Sequence, residues 1–468
     1  MLLCSAILVG GMAMKQRGAA GACRYGFWGA GTLCLTVMSA SAMATGFFLN
    51  QQSVQGLGRS DAGNAAAASD VSTVYYNPAG MPYLWRDDAA GGADTRFAIG
   101  AQLIVPRAQH LNTGSTATTP LSGGAVAYAG PNGSDPTAPT PVPNVFLAHR
   151  LSGGQGFVGF GMTSPFGLSA KFNNDWFARY DSIETSLRTV NLTAVGAYQV
   201  TPAFSIGGGL DLQYARSKQV AAVPDPLNFG GPTAATDARA ESTGSAWTPG
   251  FNAGFMWQAN EKTRFGMHYR SEIDHKMSGT VTTSGLTGLL AAGNGAVGAT
   301  SRLKLPRVVG TGVAHRVDDR LTLYGEVDWY GWATLKELRI QYDNGAADSV
   351  RVTNYRNTFA YAIGGEYRQT ERLTLRSGVQ WDFTPTVDGF RDTTFPDSNR
   401  FVIAAGASYR VSTSAYFDFA VNHVSFRTAT VAVQRPFFAG TALASTVNVN
   451  DVVNARINTL SVQLRQAF

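Results

Sequence analysis

Beyond residue 44 no apolar run is long enough to cross a bilayer as a helix, yet one segment after another alternates apolar and polar residues down to Phe468. In hydrocarbon every backbone N–H and C=O must pair within the protein, which leaves helices and edge-free barrels as the only spanning structures. A spanning helix takes about 20 mostly apolar residues. The nearest approach to one, residues 27–44, has the anatomy of a secretory signal. Lys15, Arg17 and Arg24 form its basic region, Phe27 to Met38 its apolar core, and Ala42-Met43-Ala44 a small-x-small cleavage site. The sequence therefore predicts a signal peptide over 1–44, with Met12 or Met14 as alternative starts, followed by an all-β barrel in the outer membrane of a Gram-negative bacterium.

Cys4, Cys23 and Cys34 all fall within that leader, so the exported chain can form neither a disulfide nor a thiolate metal site. Removing three basic residues with the leader lowers Lys+Arg from 37 to 34, against 31 Asp+Glu. That balance speaks against a nucleic-acid partner. Glycine abundance, 11% aromatics and only 15% charged residues suit a barrel whose lipid-facing and lumen-facing residues average out.

The period-two pattern is clearest in Arg372 to Phe383. Leu373, Leu375, Val379, Trp381 and Phe383 share one face, while Thr374, Arg376, Gln380 and Asp382 share the other. Leu321 to Trp329 sets Leu321, Leu323, Val327 and Trp329 against Thr322, Tyr324, Glu326 and Asp328. Phe265 to Ile273 sets Phe265, Met267, Tyr269 and Ile273 against His268, Arg270 and Glu272. Full charges of both signs on the polar face fit a wet lumen better than a soluble sandwich. Trp329, Trp332, Tyr409 and Tyr416 are candidates for the aromatic girdles.

Fourteen strands are expected, near 95–107, 143–151, 157–170, 183–200, 203–217, 247–260, 263–280, 302–318, 319–335, 356–369, 372–385, 399–412, 414–427 and 456–468. An even number is what an antiparallel barrel with both ends at the periplasm requires. Short turns at Thr201-Pro202, 260–262, 317–319 and 411–413 would be periplasmic, and the long connections 108–142, 218–246, 281–301 and 428–455 external.

The stretch before the first strand does not alternate. It contains Gly46-Phe47-Phe48-Leu49, then Gly56-Leu57-Gly58-Arg59, then Asn77-Pro78-Ala79. Further on come Ser164-Pro165-Phe166-Gly167-Leu168 with Trp176 and Arg179-Tyr180, then Tyr269-Arg270-Ser271, Leu305-Pro306, Trp329 with Trp332, Leu375-Arg376-Ser377-Gly378, Thr384-Pro385 and Phe395-Pro396-Asp397 with Arg400. With these blocks in this order, the chain resembles the FadL family of outer-membrane transporters for long-chain fatty acids and other hydrophobic compounds. The resemblance implies a helical hatch over 45–90 plugging a fourteen-stranded barrel over 91–468. It also implies a hydrophobic pocket above the hatch and a break in the wall at a kinked third strand, through which ligand leaves sideways into the membrane.

On that resemblance Phe47 is the candidate to occupy or gate the pocket, with Leu49 second, and Phe166 and Phe172 are further ligand contacts near the kink. Ser164, Pro165 and Gly167 are the candidate lateral opening, because proline and glycine weaken ladder pairing. Asn77, Pro78 and Ala79 are read as a hatch anchor, since Asn can bond its own backbone and Pro fixes φ. Leu286, Leu289 and Leu290 fall at i, i+3, i+4 and suggest an apolar face in an outer loop; Arg216 and Lys218 are candidates for a carboxylate head group or for lipopolysaccharide phosphates. The loop 218–246 is short and rich in Pro, Gly and Ala, and Gln466 stands where a bulky apolar residue is common in terminal strands.

No cofactor or catalytic residue is expected. Gly293-Asn294-Gly295-Ala296-Val297-Gly298 fits G-x-G-x-x-G but neither follows a strand nor opens a helix. The histidines are scattered, and His268 and His275, seven apart, are expected on opposite faces. The expected partners are hydrophobic small molecules, outer-membrane lipids with lipopolysaccharide, and the assembly machinery that reads the terminal strand; a monomer is expected. The competing readings are a solute-specific or general porin, which would begin its first strand almost at once, and an outer-membrane lipid hydrolase.

Overall fold

Alternation becomes a wall in which every strand has a paired neighbour on each side. A computed structural model describes residues 46–86 and 92–468; the leader, Thr45 and residues 87–91 lie outside the described residues. The wall consists of β1 (Thr95–Asn112), β2 (Thr140–Arg150), β3 (Gly156–Thr163 and Gly167–Lys171), β4 (Glu184–Thr201), β5 (Phe204–Val223), β6 (Ala238–Gln258) and β7 (Thr263–Arg270 and Ile273–Ser284). It continues with β8 (Gly295–Leu305 and Val308–Arg316), β9 (Leu321–Tyr330 and Glu337–Tyr342), β10 (Ser349–Val352 and Thr358–Arg368), β11 (Leu373–Asp382), β12 (Arg400–Arg410), β13 (Ala415–Phe426 and Ala429–Phe437) and β14 (Ser445–Ala467). All neighbours are antiparallel, and β14 pairs with β1 to close a fourteen-stranded barrel without free edges. Among the described residues no helix is long and apolar enough to cross a membrane.

The two faces separate by polarity. On β11, Arg376, Gln380 and Asp382 are buried in the lumen, while Leu375 and Trp381, with Phe383 just beyond the strand, are exposed to lipid. Several strands run well past their expected ends. β6 begins at Ala238 and β14 at Ser445, because ladder pairing continues above the membrane, in a Ser-, Thr- and Ala-rich run on β6 and on β14 in a run whose Val447, Val449 and Val453 are buried in the outer cap.

The faces do not keep one parity throughout. β7 is interrupted at Ser271–Glu272, and the register with β6 shifts by one residue between Asn252 opposite Arg270 and Ser245 opposite Ser278. Such a bulge turns the following side chains over. Ile273, His275 and Met277 therefore point inward, and Ile273 does not share the lipid face of Phe265 and Met267 as expected from sequence. The same inversion puts His268 and His275 both on the lumen side, where His275 bonds Thr248 at 2.8 Å and Gln213 at 3.0 Å. β8, β9 and β10 are broken at the matching height, around Pro306, Gly331 and Asn357. Two girdle candidates are corrected. Trp332 is fully buried in the lumen, and Tyr416 lies beneath the Arg465 guanidinium, 4.5 Å away, at the inner mouth.

Residues 46–86 fill the lumen with two short helices (Val54–Gly58 and Thr73–Tyr76) and a 3-10 helix (Pro78–Trp85). Ser53 caps the first, accepting from the Gly56 N–H at 3.3 Å and donating to Asp70 at 3.2 Å. Arg59 pairs with Glu366 of β10, which also holds Arg376 at 2.7 Å. The hatch backbone touches the wall at glycines: a Cβ on Gly266 would stand 1.9 Å from the Ala65 carbonyl oxygen, and one on Gly378 2.0 Å from that of Arg59. Here the glycine content of the sequence acquires its purpose.

Candidate ligand cavity and wall break

β3 leaves its neighbour halfway up. It pairs with β2 from Arg150 opposite Phe157 to Val145 opposite Met162, after which no residue of β3 opposes Thr140–Asn144. On its other side β3 stays with β4, with Thr163 opposite Asn191 and Gly167 opposite Arg188, a shift of one residue across Ser164–Phe166. Proline at 165 supplies no N–H and glycine at 167 no side chain, so the ladder is weakest where it parts.

The start of the hatch replaces the missing strand. Phe48 lies antiparallel to Phe166, the Leu49 N–H donates to the Pro165 carbonyl at 2.7 Å, and the Gly167 N–H donates to the Phe47 carbonyl at 3.0 Å. The Gln52 side chain donates to the Ser164 carbonyl at 3.2 Å and accepts from the Ser164 N–H at 3.1 Å. Thr189 Oγ1 accepts from the Phe166 N–H at 3.0 Å and donates to its carbonyl at 2.7 Å. Backbone groups released by the wall are thus satisfied from inside. Asn144 and Thr163, flanking the point of divergence, are buried with side-chain polar atoms that find no partner among the described residues.

Inward of this patch lies a cavity of about 140 Å³. Its apolar side is made by Phe47, Leu168, Leu187, Met277, Leu303 and Phe395, and its outer, polar side by Ser217, Gln219 and Thr353 with the charged Arg302, Arg339, Arg351, Arg391 and Asp392. Phe47 stands edge-on to Trp332 at 4.9 Å, Phe395 at 6.0 Å and Phe166 at 6.2 Å between ring centroids. Such edge contacts contribute about 0.5–1.5 kcal/mol each beyond area burial. A larger void of about 680 Å³ opens at the other end of the hatch, but it is lined by short-turn residues such as Glu261, Lys262 and Ser414 together with Arg86, Arg316 and Arg465. Its charged lining makes it a watery vestibule, not a site for an apolar ligand.

The cavity is roofed by a charge cluster from two outer loops and two strands. Asp181 accepts from the Thr393 N–H at 2.7 Å and Oγ1 at 2.6 Å and pairs with Arg435 at 2.6 Å. Arg351 lies 3.6 Å from Asp181 and 3.2 Å from Asp392, which also faces Arg435 at 3.2 Å. Burial raises the Asp181 carboxyl, but Arg435 and Arg351 outweigh it and bring the group down to about 2.

The sequence-derived residues distribute unevenly around this geometry. Phe47 and Phe166 meet at the cavity. Leu49 packs instead with Val142, Ile104 and Ile457, on the β1–β2 side of the break. Phe172 does not line the cavity: its ring is stacked on Trp176 at 3.6 Å and lies 5.1 Å from His110, in the outer cap. Leu286, Leu289 and Leu290 are also away from it. Leu289 is 88% exposed, and the segment Gly288–Gly293 is a 3-10 turn whose repeat does not keep an α-helical i, i+4 face. Arg216 and Lys218 project outward from β5, and Lys218 is held by Glu184 at 3.1 Å and Glu241 at 3.7 Å. No head group inside the cavity meets either.

Asn77 is fully buried. Its amide donates to the Ala65 carbonyl at 2.8 Å and to the Phe255 carbonyl of β6 at 3.0 Å, and it caps the 3-10 helix by accepting from Ala79 at 3.2 Å. Pro78 opens that helix, and the Ala79 carbonyl accepts from Ser205 at 2.6 Å. Sequence reasoning missed Trp332, Tyr355, Leu335 and Met277, which complete the cavity cluster. The available signal was the loss of strand parity at Ser271, Pro306 and Gly331. Among the described residues no group of three potential metal ligands converges.

A closed barrel corked from its own N-terminal side, with a cavity above the cork, is the architecture of a plugged outer-membrane barrel. The chain belongs to the family of outer membrane transport proteins described as OMPP1/FadL/TodX, whose family model matches residues 35–468. It is 27% identical over 417 residues to the long-chain fatty acid transport protein of Escherichia coli O6:H1, covering 84% of this chain and 89% of that one. It is 26% identical over 407 residues to outer membrane protein P1 of Haemophilus influenzae, covering 82% and 86%. A Pseudomonas aeruginosa FadL homologue has the same fold at a TM-score of 0.79 and 20% identity, covering 90% of this chain and all of that one. The Ralstonia pickettii toluene transporter TbuX superposes at 0.60 and 18% identity, covering 88% and 98%.

Proposed function

We propose that this protein carries hydrophobic small molecules, long-chain fatty acids or related hydrocarbons, across the outer membrane by passive diffusion, and that they leave through the side of the wall at the β2–β3 break. The observation that carries this reading is the position of Phe47–Leu49, interposed between the cavity and the stretch of wall where β2 and β3 part inside the barrel's span. Relatives named as long-chain fatty acid transport proteins and a fold neighbour named as a toluene transporter support the substrate class.

The energetics favour a dry route. An alkyl chain loses about 0.8 kcal/mol for each CH₂ returned to water, so a path from an apolar cavity directly into lipid avoids a barrier that a path through the charged vestibule would impose. In this reading Phe47 is the gate: its ring occupies the cavity margin, and a ligand that displaces it loosens the three-residue pairing that covers the break. Phe166 forms the opposite lip, and Asn77, Pro78 and Ala79 keep the rest of the hatch seated while the first residues move.

The test compares uptake of radiolabelled oleate and of toluene by cells with and without the protein. Saturable, protein-dependent uptake of either, with no increase for a small sugar, is expected. Equal gains for sugar and hydrocarbon would instead indicate a porin.

A further inference from the structure

Outside the barrel, arginines face each other in pairs where neither is needed for the lumen. Arg188 on β4 lies directly opposite Arg216 on β5, and Arg107 on β1 directly opposite Arg456 on β14. All four project from the outer face, as the buried neighbours Leu187, Ala215, Ala108 and Ile457 point inward. Like charges placed directly across a ladder are destabilising unless something else neutralises them. Among the described residues only Arg107 has a carboxylate partner, Asp135 at 2.7 Å. The carboxylates nearest the Arg188–Arg216 pair, Glu184 and Glu241, are engaged by Lys218 and Arg239.

The height of the pairs is the second observation. Tyr198 lies opposite Ile206 at the short-turn end of β4 and β5, and Phe97 opposite Gln466 at the corresponding end of β1 and β14. From each of these positions to the arginine on the same strand is the same ten-residue interval. At about 3.3 Å per residue and a tilt of about 40°, that interval rises about 25 Å, the height of the apolar band of such barrels. The intervening outward residues are apolar on β4 and β5: Val190, Leu192 and Ala194; Leu210, Leu212 and Tyr214. Aromatic pairs mark the same level: Tyr214 with Trp247 at 5.1 Å just below Arg216, and Trp381 with Phe401 at 5.3 Å in the row that continues through Ser425 to Arg456. Trp and Tyr gather where headgroups meet hydrocarbon. The arginine pairs therefore lie at the headgroup level of the outer leaflet.

We propose that the Arg188–Arg216 and Arg107–Arg456 pairs are two binding sites for the phosphates of a phosphorylated outer-leaflet glycolipid, its acyl chains lying along the apolar strands below. Two guanidinium forks present parallel N–H donors matched to phosphate oxygens, and the lipid anion removes the repulsion that the bare ladder retains. The two sites lie on either side of the β2–β3 break, one strand away from it in each direction, so bound lipid would border the place where the wall parts.

The test is native mass spectrometry of the full protein in detergent micelles, titrated with bisphosphorylated lipid A, with lipid A stripped of its phosphates, and with excess inorganic phosphate. Retention of the phosphorylated lipid is expected, with R188Q/R216Q and R107Q/R456Q each weakening it, at about fivefold per charge removed, and R188K/R216K restoring most of it. Heat-modifiable migration on gels confirms that each variant is a folded barrel. Equal retention by wild type and both glutamine variants, or equal retention of the dephosphorylated lipid, overturns the proposal. Displacement by inorganic phosphate alone overturns the assignment to lipid.

Discussion

Two seams of the same barrel behave differently. Between β14 and β1, the last and first strands of the wall, pairing runs unbroken from Arg96 opposite Ala467 to Asn112 opposite Asp451. Between β2 and β3, neighbours in sequence, it stops at Val145 opposite Met162. Closure over the greatest sequence separation is complete, while closure between these two consecutive strands is partial. Chain proximity does not decide where the wall is weak. Local chemistry does, because β14 carries an uninterrupted alternation and β3 carries Pro165 and Gly167. What the weak seam lacks in strand pairing it receives from the hatch, so the cork and the break are one device.

The strongest way to disrupt this comparison is to remove the cork. Deleting residues 46–83 leaves every strand in place but takes away the lumen filling and the cover of the break. In planar bilayers the ion current per barrel is expected to rise from near zero to that of an open pore. An unchanged current would mean that the hatch does not block the lumen.

A subtler change makes the two seams alike. Replacing Pro165 and Gly167 together with Val restores a donor and two β-branched residues to β3, which favours pairing with Thr140–Asn144. Oleate or toluene uptake is expected to fall at least about tenfold, in line with the loss of a gated path, while heat-modifiable migration stays that of an assembled barrel. Full uptake in this variant would count against the sideways route.

The smallest expected effects sharpen the contrast between the cork and the cap. Asp61 in the hatch is raised to about 6 by burial, against the lowering influence of Asn64, Gln51 and Arg59. A raised carboxyl is neutral in the fold at low pH, so seating of the hatch is most favourable below about pH 4 and weakens as pH climbs to about 6. The shift corresponds to about 3 kcal/mol. Asp181 in the cap, brought down to about 2, works in the opposite sense: its contribution is present above about pH 4 and is lost as pH falls toward 2, by about 2 kcal/mol. Protease protection of hatch and outer loops, followed from pH 3 to 7, should therefore move in opposite directions for the two regions. D61N is expected to make the first profile shallower and D181N the second.

Much of the barrel was legible along the chain because a strand with lipid on one side and water on the other must alternate. The β11 residues Leu375, Trp381, Arg376 and Asp382 all lie on the faces their spacing gives them. The upper half of β6 was not legible, since a Ser-, Thr- and Ala-rich run has no apolar face to enforce a period, and the alternation of Val447 and Val449 on upper β14 fell within what read as the outer connection 428–455. The site was legible only at its aromatic lip, Phe47 and Phe166. Phe172, equally aromatic, is committed to Trp176 in the cap, and nothing in its neighbours announces that. Ile273, Met277 and Leu303 were hidden because bulges reverse the parity on which the reading relied.

Period and polarity are local properties, so the chain's own residues dictate a barrel of an even number of strands with something other than a strand ahead of them. Which inward residues form the cavity, and what covers the break, follow from long-range packing. Gln52 meets Ser164 across 112 residues of intervening chain, and Asp181 meets Arg435 across 254. Contacts of that separation depend on the register of every strand between them, and no single strand encodes it.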